Sequence, residues 1–302
     1  MVDITTNIAG IKIENPTILA SGIMDEDAGS IQRIIDNGAG AIVTKSIGSI
    51  SRGGYPNPTL IELDHGILNA MGLPNPGIDD FGKEIKLLTL SKKPIIGSIF
   101  AGNIDEFINL ANKMQNYGVS AVELNLSCPH AKHYGLELGC DSNLVRKITS
   151  SVKKSVKIPV FVKLSPNVTN IVEIAKSAQE GNADAIVAIN TVKAMKIDID
   201  IGKPVLSNKI GGYSGEAIKP IGVRCVYELS ANIDIPIIGV GGIKTGEDVI
   251  EYLMAGASAV QIGSGIYYRG TEIFGKLNKE IIDWMELHSY VKLKDIIGVS
   301  HT

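Results

Sequence analysis

Cysteine is scarce in this 302-residue chain, which contains only Cys128, Cys140 and Cys225. An odd and sparse set of thiols argues against a disulfide framework and is typical of a reducing compartment. The spacing of the three residues also fits no zinc or iron–sulfur ligand pattern. We therefore expect a cytoplasmic protein without structural disulfides and without a metal cluster of its own.

Long apolar runs and strong charge are also lacking. No run reaches the roughly 18 apolar residues that a membrane-spanning helix needs, and the opening "MVDITTNIAG" lacks the apolar stretch of a signal peptide. The formal net charge is −3, so neither nucleic acid nor a membrane surface is an expected partner. Aromatic residues make up only 5% of the chain, whereas glycine occurs 33 times. This balance indicates many tight turns with the backbone close to its neighbours.

Eight short apolar runs, rich in β-branched residues, recur along the chain and predict buried parallel strands. They span residues 16–22, 40–46, 93–100, 120–128, 158–166, 183–191, 235–242 and 258–265. Between them lie amphipathic stretches such as "DAGSIQRIIDNG" and "TGEDVIEYLMAG", in which apolar residues repeat at helical period before a glycine. Eight such units predict an α/β protein with a (β/α)8 TIM-barrel fold, as a single domain over residues 1–302.

Two connections, at residues 47–92 and 192–234, are too long to be simple helical crossovers. Both follow the carboxyl end of a predicted strand, the face on which such barrels build their sites. We therefore expect them to form long inserted loops over the site. The opening "TTNIAGIKIENP" alternates in polarity and turns at Ala9-Gly10, which predicts an N-terminal hairpin at the opposite end of the barrel.

Glycine-rich turns follow the last two predicted strands, at Gly241-Gly242 and Gly263-Ser264-Gly265. In a barrel, the backbone N–H groups of such turns form the usual phosphate site, together with a helix N-terminus, here the helix predicted to start at Thr245. Tight turns without a ligand are the alternative interpretation. The pattern predicts a ligand that carries a phosphate group and leaves its chemistry open.

Lysine and asparagine mark the ends of several other strands. Lys45 and Lys163 close apolar runs, and either alone would be interpreted as a side chain that reaches solvent. At one barrel mouth, the two cations suit an anionic ligand or a developing negative charge. Asn69, Asn125 and Asn190 fall at the same mouth, where their amides suit a planar ring with alternating C=O and N–H groups. For any one of them, an ordinary turn or capping residue is the alternative.

Cys128 stands just past the fourth predicted strand, within "NLSCPHAKHYG". A free cysteine is often a small buried hydrophobic residue, and we interpret Cys140 and Cys225 in that way. On a loop near lysines, however, a thiolate at Cys128 would be a usable base or nucleophile. His130 and His133 share this loop without a third ligand, so we predict no metal site.

Together these motifs resemble the dihydroorotate dehydrogenase family, flavin enzymes of pyrimidine synthesis. The resemblance covers nearly the whole chain in family order and is carried by "NPTILASG", "IVTKSI", "GGYPNPTLIELDHGILNAMGLPNPG", "ELNLSCP", "VKLSPNVT", "AINT", "GGYSGEAIKP", "IIGVGGI" and "VQIGSGI". It implies FMN-dependent oxidation of dihydroorotate to orotate. The N-terminal extension and serine base of the membrane-associated class do not occur here, which favours soluble class 1.

Within that class, "SCPHAKHYG" and "KLSPNVT" are most similar to type 1B, and less similar to the fumarate-reducing type 1A homodimer. Type 1B implies a partner subunit that carries FAD and a [2Fe-2S] cluster and passes electrons to NAD. We therefore expect a homodimer core within a heterotetramer. The chain itself has no Gly-x-Gly-x-x-Gly dinucleotide motif after a strand.

The resemblance also implies roles for individual residues. FMN would be contacted by Ser21, Lys45, Ser46, Asn125, Lys163, Ile189, Gly215, Gly241, Gly242, Gly263 and Ser264. Dihydroorotate would be held by Lys45, Asn69, Ala70, Met71, Gly72, Leu73, Asn125, Asn190 and Thr191. Cys128 would remove the proton at C5 while hydride passes from C6 to flavin N5. Lys163 would stabilise negative charge on the reduced flavin.

Two positions depart from the family pattern. His130 stands where an asparagine usually contacts the substrate, and Ser98 stands where many relatives have a flavin-contacting asparagine. Two enzymatic alternatives therefore stay open: a type 1A dihydroorotate dehydrogenase, and a related flavin oxidoreductase acting on another pyrimidine. The phosphate-binding glycines alone would also suit a barrel that binds a sugar phosphate without redox chemistry.

Overall fold

The computed structural model describes residues 2–127 and 138–302, which contain sixteen strands and nine α-helices. The strands are β1 (Thr6–Ile8), β2 (Ile11–Ile13), β3 (Thr17–Leu19), β4 (Ala41–Val43), β5 (Leu60–Leu63), β6 (Gly66–Asn69), β7 (Ile95–Ile99), β8 (Ala121–Asn125), β9 (Val160–Leu164), β10 (Ala185–Ala188), β11 (Val192–Ala194), β12 (Ile197–Asp198), β13 (Lys203–Pro204), β14 (Gly211–Ser214), β15 (Ile237–Val240) and β16 (Ala259–Ile262). The helices are α1 (Ala28–Asp36), α2 (Ile78–Leu88), α3 (Ile104–Tyr117), α4 (Ser142–Ser155), α5 (Ile171–Glu180), α6 (Lys219–Ser230), α7 (Gly246–Met254), α8 (Gly265–Arg269) and α9 (Ile273–Leu287).

Eight of these strands close into one parallel barrel, in the order β10-β15-β16-β3-β4-β7-β8-β9. Each barrel strand lies within one of the eight apolar runs, so the predicted (β/α)8 fold is confirmed. The strands are buried on both faces because side chains fill the barrel inside and helices cover it outside. No helix in the described part of the chain combines the length and hydropathy needed to cross a membrane.

Five of the nine described α-helices, namely α1, α3, α4, α5 and α7, begin after a residue whose side chain caps the first turn. Asp27 and Asn103 accept hydrogen bonds from the first-turn amides of α1 and α3, respectively, and Thr245 and Asp248 form a capping box at α7. A side-chain cap of this kind contributes about 1 kcal/mol. The apolar face of each helix then packs against the strands; the fully buried Ile31 on α1 is one such contact residue.

The predicted N-terminal hairpin is formed by β1 and β2, which pair antiparallel around Ala9-Gly10. Ile8 and Ile13 are buried and belong to the apolar cluster that fills the barrel interior, together with residues such as Phe161. The hairpin therefore closes the amino-terminal end of the barrel, as expected, and leaves the carboxyl end of the strands for the site.

The two long connections form a small sheet with each other. Strands β5 and β6 come from residues 47–92, β11 and β14 come from residues 192–234, and the four pair antiparallel in the order β11-β14-β6-β5. The first connection also contains α2, and the second a short β12–β13 hairpin. The expectation of inserted loops at the carboxyl face is confirmed, and the pairing of the two insertions adds a detail that the sequence did not reveal.

The turn after β3 buries an acid. Asp25 has no exposed surface, and its Oδ2 accepts the N–H of Gly22 at 2.6 Å. Its Oδ1 has no hydrogen-bond partner among the described residues. The pKa of Asp25 is raised to about 6: burial is the main cause and Glu26 contributes in the same direction, whereas the Gly22 hydrogen bond and the charge of Lys45 oppose the rise. The ionised carboxylate is therefore disfavoured in the folded chain.

We expect Asp25→Asn to stabilise the fold at neutral pH. The pKa is about 6 in the folded chain against an ordinary value of 3.8, so the contribution of this group to stability is complete below the lower value and lost as pH rises through the higher one. The amide keeps an acceptor for Gly22 without the charge. The free energy of unfolding should therefore rise by about 1–3 kcal/mol near neutral pH and by little near the ordinary aspartate pKa.

Urea denaturation of both proteins at the two pH values measures this difference. Asp27→Asn is the matched control, because Asp27 is exposed and the hydrogen bonds from Ser30 lower its pKa. An equal gain for Asp25→Asn at both pH values would contradict the assignment of a buried, charge-sensitive acid.

Candidate active site

The carboxyl ends of the barrel strands surround a cavity of about 520 Å³, within the range of roughly 300–1,000 Å³ typical of small-molecule sites. The small sheet contributes Leu60, Ile67 and Ser214 to its wall. A second cavity of about 400 Å³ adjoins it. The residues that line both are Asn69, Met71, Leu73, Asn125, Asn190 and Thr191.

Most of the residues singled out in the sequence come together here. The larger cavity is lined by Ser21, Lys45, Ser46, Asn69, Met71, Leu73, Asn125, Lys163, Ile189, Asn190, Thr191, Gly241, Gly242, Gly263 and Ser264. Ala70 and Gly72 line the adjoining cavity. The residues expected to hold substrate thus lie mainly where the two cavities meet, and those expected to hold a phosphate lie in the larger one.

Among the described residues expected to contact FMN, one is not on these walls. Gly215 does not line either cavity; its carbonyl oxygen instead packs beneath Gly242, 2.6 Å from where a Cβ on Gly242 would lie. Cys128 and His130 lie outside the described residues. Their neighbour Ser127 is the last described residue before the gap, and it lines the smaller cavity.

The two glycine-rich turns form an open cradle at one end of the larger cavity. Gly242 has a φ of +71° and its missing Cβ would collide with Gly215 and Lys219, so no other residue fits this turn without strain. A Cβ on Gly263 would meet only Ala20, at 3.6 Å. The space in front of this turn is thus available to a ligand, and both turns can approach it with their backbone.

The N-terminus of α7 does not contribute to that cradle, contrary to the sequence-based expectation. The helix begins as predicted after Thr245, but Asp248 accepts the N–H groups of Lys244 and Thr245, at 2.8 and 2.9 Å. Glu280 accepts that of Gly246 at 2.7 Å. The protein's own carboxylates occupy these donors, so anion binding at this end of the barrel falls to the two turns.

A continuous hydrogen-bonded chain of hydroxyls and amides runs along the cavity. The Ser46 hydroxyl lies 3.2 Å from that of Ser21 and accepts the Asn125 amide N–H at 3.1 Å. The Asn190 amide donates to the Ser127 hydroxyl at 3.0 Å and lies 3.5 Å from Asn125 Oδ1. These polar groups therefore hold one another in place along the cavity.

Ser98 lies behind this chain. It is fully buried, its hydroxyl is 2.8 Å from that of Ser46, and it does not line the larger cavity. The shorter side chain that replaces the family asparagine therefore supports Ser46 from behind instead of reaching the ligand space.

The two lysines have different surroundings. Lys163 is 6% exposed; its ammonium donates to Gln261 Oε1 at 3.0 Å and lies 3.6 Å from Glu123 Oε1. Lys45 pairs at 3.4 Å with Glu26, whose side chain is 75% exposed. A pair of that kind contributes at most about 1 kcal/mol. Lys163 is thus fixed in the floor, whereas Lys45 is weakly held at the wall.

Neither Gln261 nor Glu123 was singled out in the sequence. Both are polar residues at interior positions of otherwise apolar strands, in "SAVQIGSG" and "SAVELNLSC". A polar residue within an apolar strand was the feature of the sequence that could have indicated a role for each of them. Asp184, an acid next to the amino end of β10, pairs with Lys153, accepts the N–H of Val160 and lines neither cavity.

Comparison with known proteins agrees with the geometry. A family model described as dihydroorotate dehydrogenase matches residues 3–285. A protein of Thermoplasma acidophilum called "Dihydroorotate dehydrogenase B (NAD(+)), catalytic subunit" is 52% identical over 300 residues, covering 99% of each chain. A protein of the same name from Methanocaldococcus jannaschii is 53% identical over 300 residues, covering 98% of this chain and 97% of the relative.

Among solved structures, the crystal structure of DHODH in complex with ferulenol from Eimeria tenella superposes with a TM-score of 0.85. It is 22% identical in sequence, and the match covers 99% of this chain and 89% of that one. At this identity the likeness supports the barrel fold, while the family model and the close relatives identify the family. The chain belongs to the dihydroorotate dehydrogenase family.

Proposed function

We propose that this chain is the FMN-dependent catalytic subunit that oxidises dihydroorotate to orotate in de novo pyrimidine biosynthesis. The observation that carries the proposal is one cavity lined by two lysines, three asparagines and two glycine-rich turns. Cations, amides and an anion cradle at one mouth suit a ligand set that combines a phosphate, a flavin ring and an anionic pyrimidine. Membership of the family supports the same reaction.

The residues present fit FMN. The Gly263 turn leaves room for a phosphate, and Ser21, Ser46 and Lys163 line the same cavity further along. Hydroxyls and an ammonium around one cavity are the donors that the carbonyl groups and ring nitrogens of an isoalloxazine require. FMN supplies the hydride acceptor when bound. The chain's part is to hold it between the glycine cradle and Lys163.

We assign the binding of dihydroorotate to Lys45, the Asn69–Leu73 segment, Asn125, Asn190 and Thr191. The Asn190 side chain is oriented at both ends: its Oδ1 accepts the Thr191 N–H at 2.7 Å, and its amide N–H bonds Ser127. Lys45 offers its charge to the substrate carboxylate at little cost, since its partner Glu26 is exposed. Preorganised amides reduce the entropy lost when a planar ring is aligned.

We further propose that Cys128 is the base that removes the C5 proton of dihydroorotate. The support is its direct chain neighbour: Ser127 lines the smaller cavity and is hydrogen-bonded to Asn190. Cys128 therefore comes directly after a residue that is hydrogen-bonded to one of the residues assigned to the substrate. A thiolate is a suitable base at neutral pH when cations lie near it.

A second subunit completes the proposed enzyme. The close relatives are named catalytic subunits of an NAD(+) enzyme, which supports a partner for this chain. We propose that the partner carries FAD and a [2Fe-2S] cluster, and that two copies of this chain form the core of a heterotetramer. We also propose a cytoplasmic location, with which the free thiol of Cys225 agrees.

The purified chain, supplied with FMN, should show a yellow flavin spectrum that anaerobic dihydroorotate bleaches. Dihydrouracil, which lacks the carboxylate that Lys45 would bind, should bleach it far more slowly and serves as the matched control. A flavin spectrum that only dihydrouracil bleaches would favour an oxidoreductase acting on another pyrimidine. A chain that binds no flavin would favour the barrel without redox chemistry.

Cys128→Ala should retain FMN and lose flavin reduction by dihydroorotate roughly 10²–10⁴-fold, the usual contribution of a positioned base. Cys128→Ser should keep part of the rate with a pH optimum moved upward, because a hydroxyl is a weaker acid than a thiol. Stopped-flow absorbance measures both. Cys140→Ala is the matched control, since Cys140 lines neither cavity. Flavin reduction at an undiminished rate in Cys128→Ala would contradict the assignment of Cys128 as the base.

The isolated chain should pass electrons from dihydroorotate to a dye such as dichlorophenolindophenol but not to NAD. The reason is that NAD reduction is assigned to the partner subunit. Steady-state assays with each acceptor, and with fumarate, distinguish the types. Robust NAD reduction by the chain alone would contradict the need for a partner, and fumarate reduction would favour type 1A.

A further inference from the structure

Three polar side chains are buried together inside the barrel, at the floor of the larger cavity. Glu123 on β8 has no exposed surface, Gln261 on β16 is 1% exposed, and Lys163 on β9 is 6% exposed. Gln261 Nε2 donates to Glu123 Oε2 at 2.7 Å, and Lys163 Nζ donates to Gln261 Oε1 at 3.0 Å. Lys163 Nζ also lies 3.6 Å from Glu123 Oε1. One glutamine therefore connects a buried acid to a lysine of the cavity.

Strand alternation explains why the acid lies below the lysine. Glu123 follows Ala121 on the interior face of β8, and Lys163 follows Phe161 on that of β9. Ala121 and Phe161 belong to the apolar cluster of the lower barrel. Lys163 and Gln261 line the cavity, whereas Glu123 does not. The acid thus lies between an apolar plug and the cavity floor, where little solvent screens its charge.

Stability alone is a poor explanation for an acid in this place. Burial of an ion is strongly unfavourable unless it is paired and hydrogen-bonded, and apolar residues often stabilise a core at least as well as a buried ion pair. Glu123 Oε1 accepts no hydrogen bond from any residue that the structure describes. Among the described residues, this oxygen is therefore compensated only by the charge of Lys163. An effect of Glu123 on that lysine explains the buried acid better than a contribution to stability does.

We propose that Glu123 is a positioning residue for Lys163: directly and through Gln261, it fixes the ammonium at the cavity floor. The inference rests on the proposed function, in which Lys163 faces bound flavin. A fixed cation there stabilises negative charge on the reduced flavin. The position of Lys163 depends on Glu123, so loss of the acid should loosen the ammonium from its place facing the flavin and thereby lower the reduction potential of the bound flavin.

The test is the reduction potential of bound FMN, measured by reductive titration against a reference dye. Glu123→Gln keeps the shape and an acceptor for Gln261 but loses the charge. We expect it to bind FMN and to lower the potential, though by less than Lys163→Met does, because the ammonium is retained. When Glu123→Gln is added to Lys163→Met, the potential should fall no further and should if anything rise, because the positioning effect needs the lysine and only the loss of the acid's own negative charge remains. Asp184→Asn, which removes the acid of the Lys153 pair away from the cavity, should leave the potential unchanged.

An unchanged or raised potential in Glu123→Gln would overturn the proposal, as would an equal shift with and without Lys163. If Glu123→Gln does not fold, Gln261→Met breaks the bridge while keeping the acid, and it too should lower the potential. An unshifted potential in that variant would then reject the role. A wild-type chain that binds no flavin would instead sink the proposed function, so the two failures are distinguishable.

Discussion

Closure of eight parallel strands into a barrel is the constraint on which the rest of the structure depends. A closed barrel has an interior that only side chains can fill, and its strands must present alternate residues to that interior. In the lower half these residues are apolar, as with Phe161 and Val187, and Ile8 and Ile13 of the hairpin seal the end. Polar interior residues are thereby confined to the upper half, which fixes where a ligand can bind.

The second constraint is the pairing of the two long insertions. Because β6 and β14 pair antiparallel, Asn69 is held in register with Gly212, and Thr191 lies immediately before β11 in the same sheet. Residues from distant parts of the chain thus reach one wall on a hydrogen-bonded scaffold. A Cβ on Gly212 would lie 2.1 Å from the Thr191 hydroxyl, so close backbone packing is part of how this wall is built.

The sequence predicted the features that depend on local pattern. The eight strands, the glycine turns and the strand-end positions of Lys45, Asn125 and Lys163 follow from apolar runs and from what ends them. The insertion sheet was missed because its partners are far apart in sequence; the bond between Asn69 and Gly212 spans 143 positions. The same reason applies to α7, whose free amides were expected to bind an anion. Glu280, 34 positions later, accepts one of them, and no local pattern reveals that contact.

The two lysines show how far such reasoning extends. Both end apolar runs, and by that pattern alone they are equivalent cations. In the structure Lys45 meets the exposed Glu26, whereas Lys163 meets Gln261 and the fully buried Glu123. Screening by solvent makes the first pair weak and exchangeable, and the low polarity around the second makes its charges interact strongly. Lys45 is therefore suited to a ligand that binds and dissociates in each reaction cycle, and Lys163 to a group that stays bound. The positions of the two lysines at strand ends do not by themselves predict this difference.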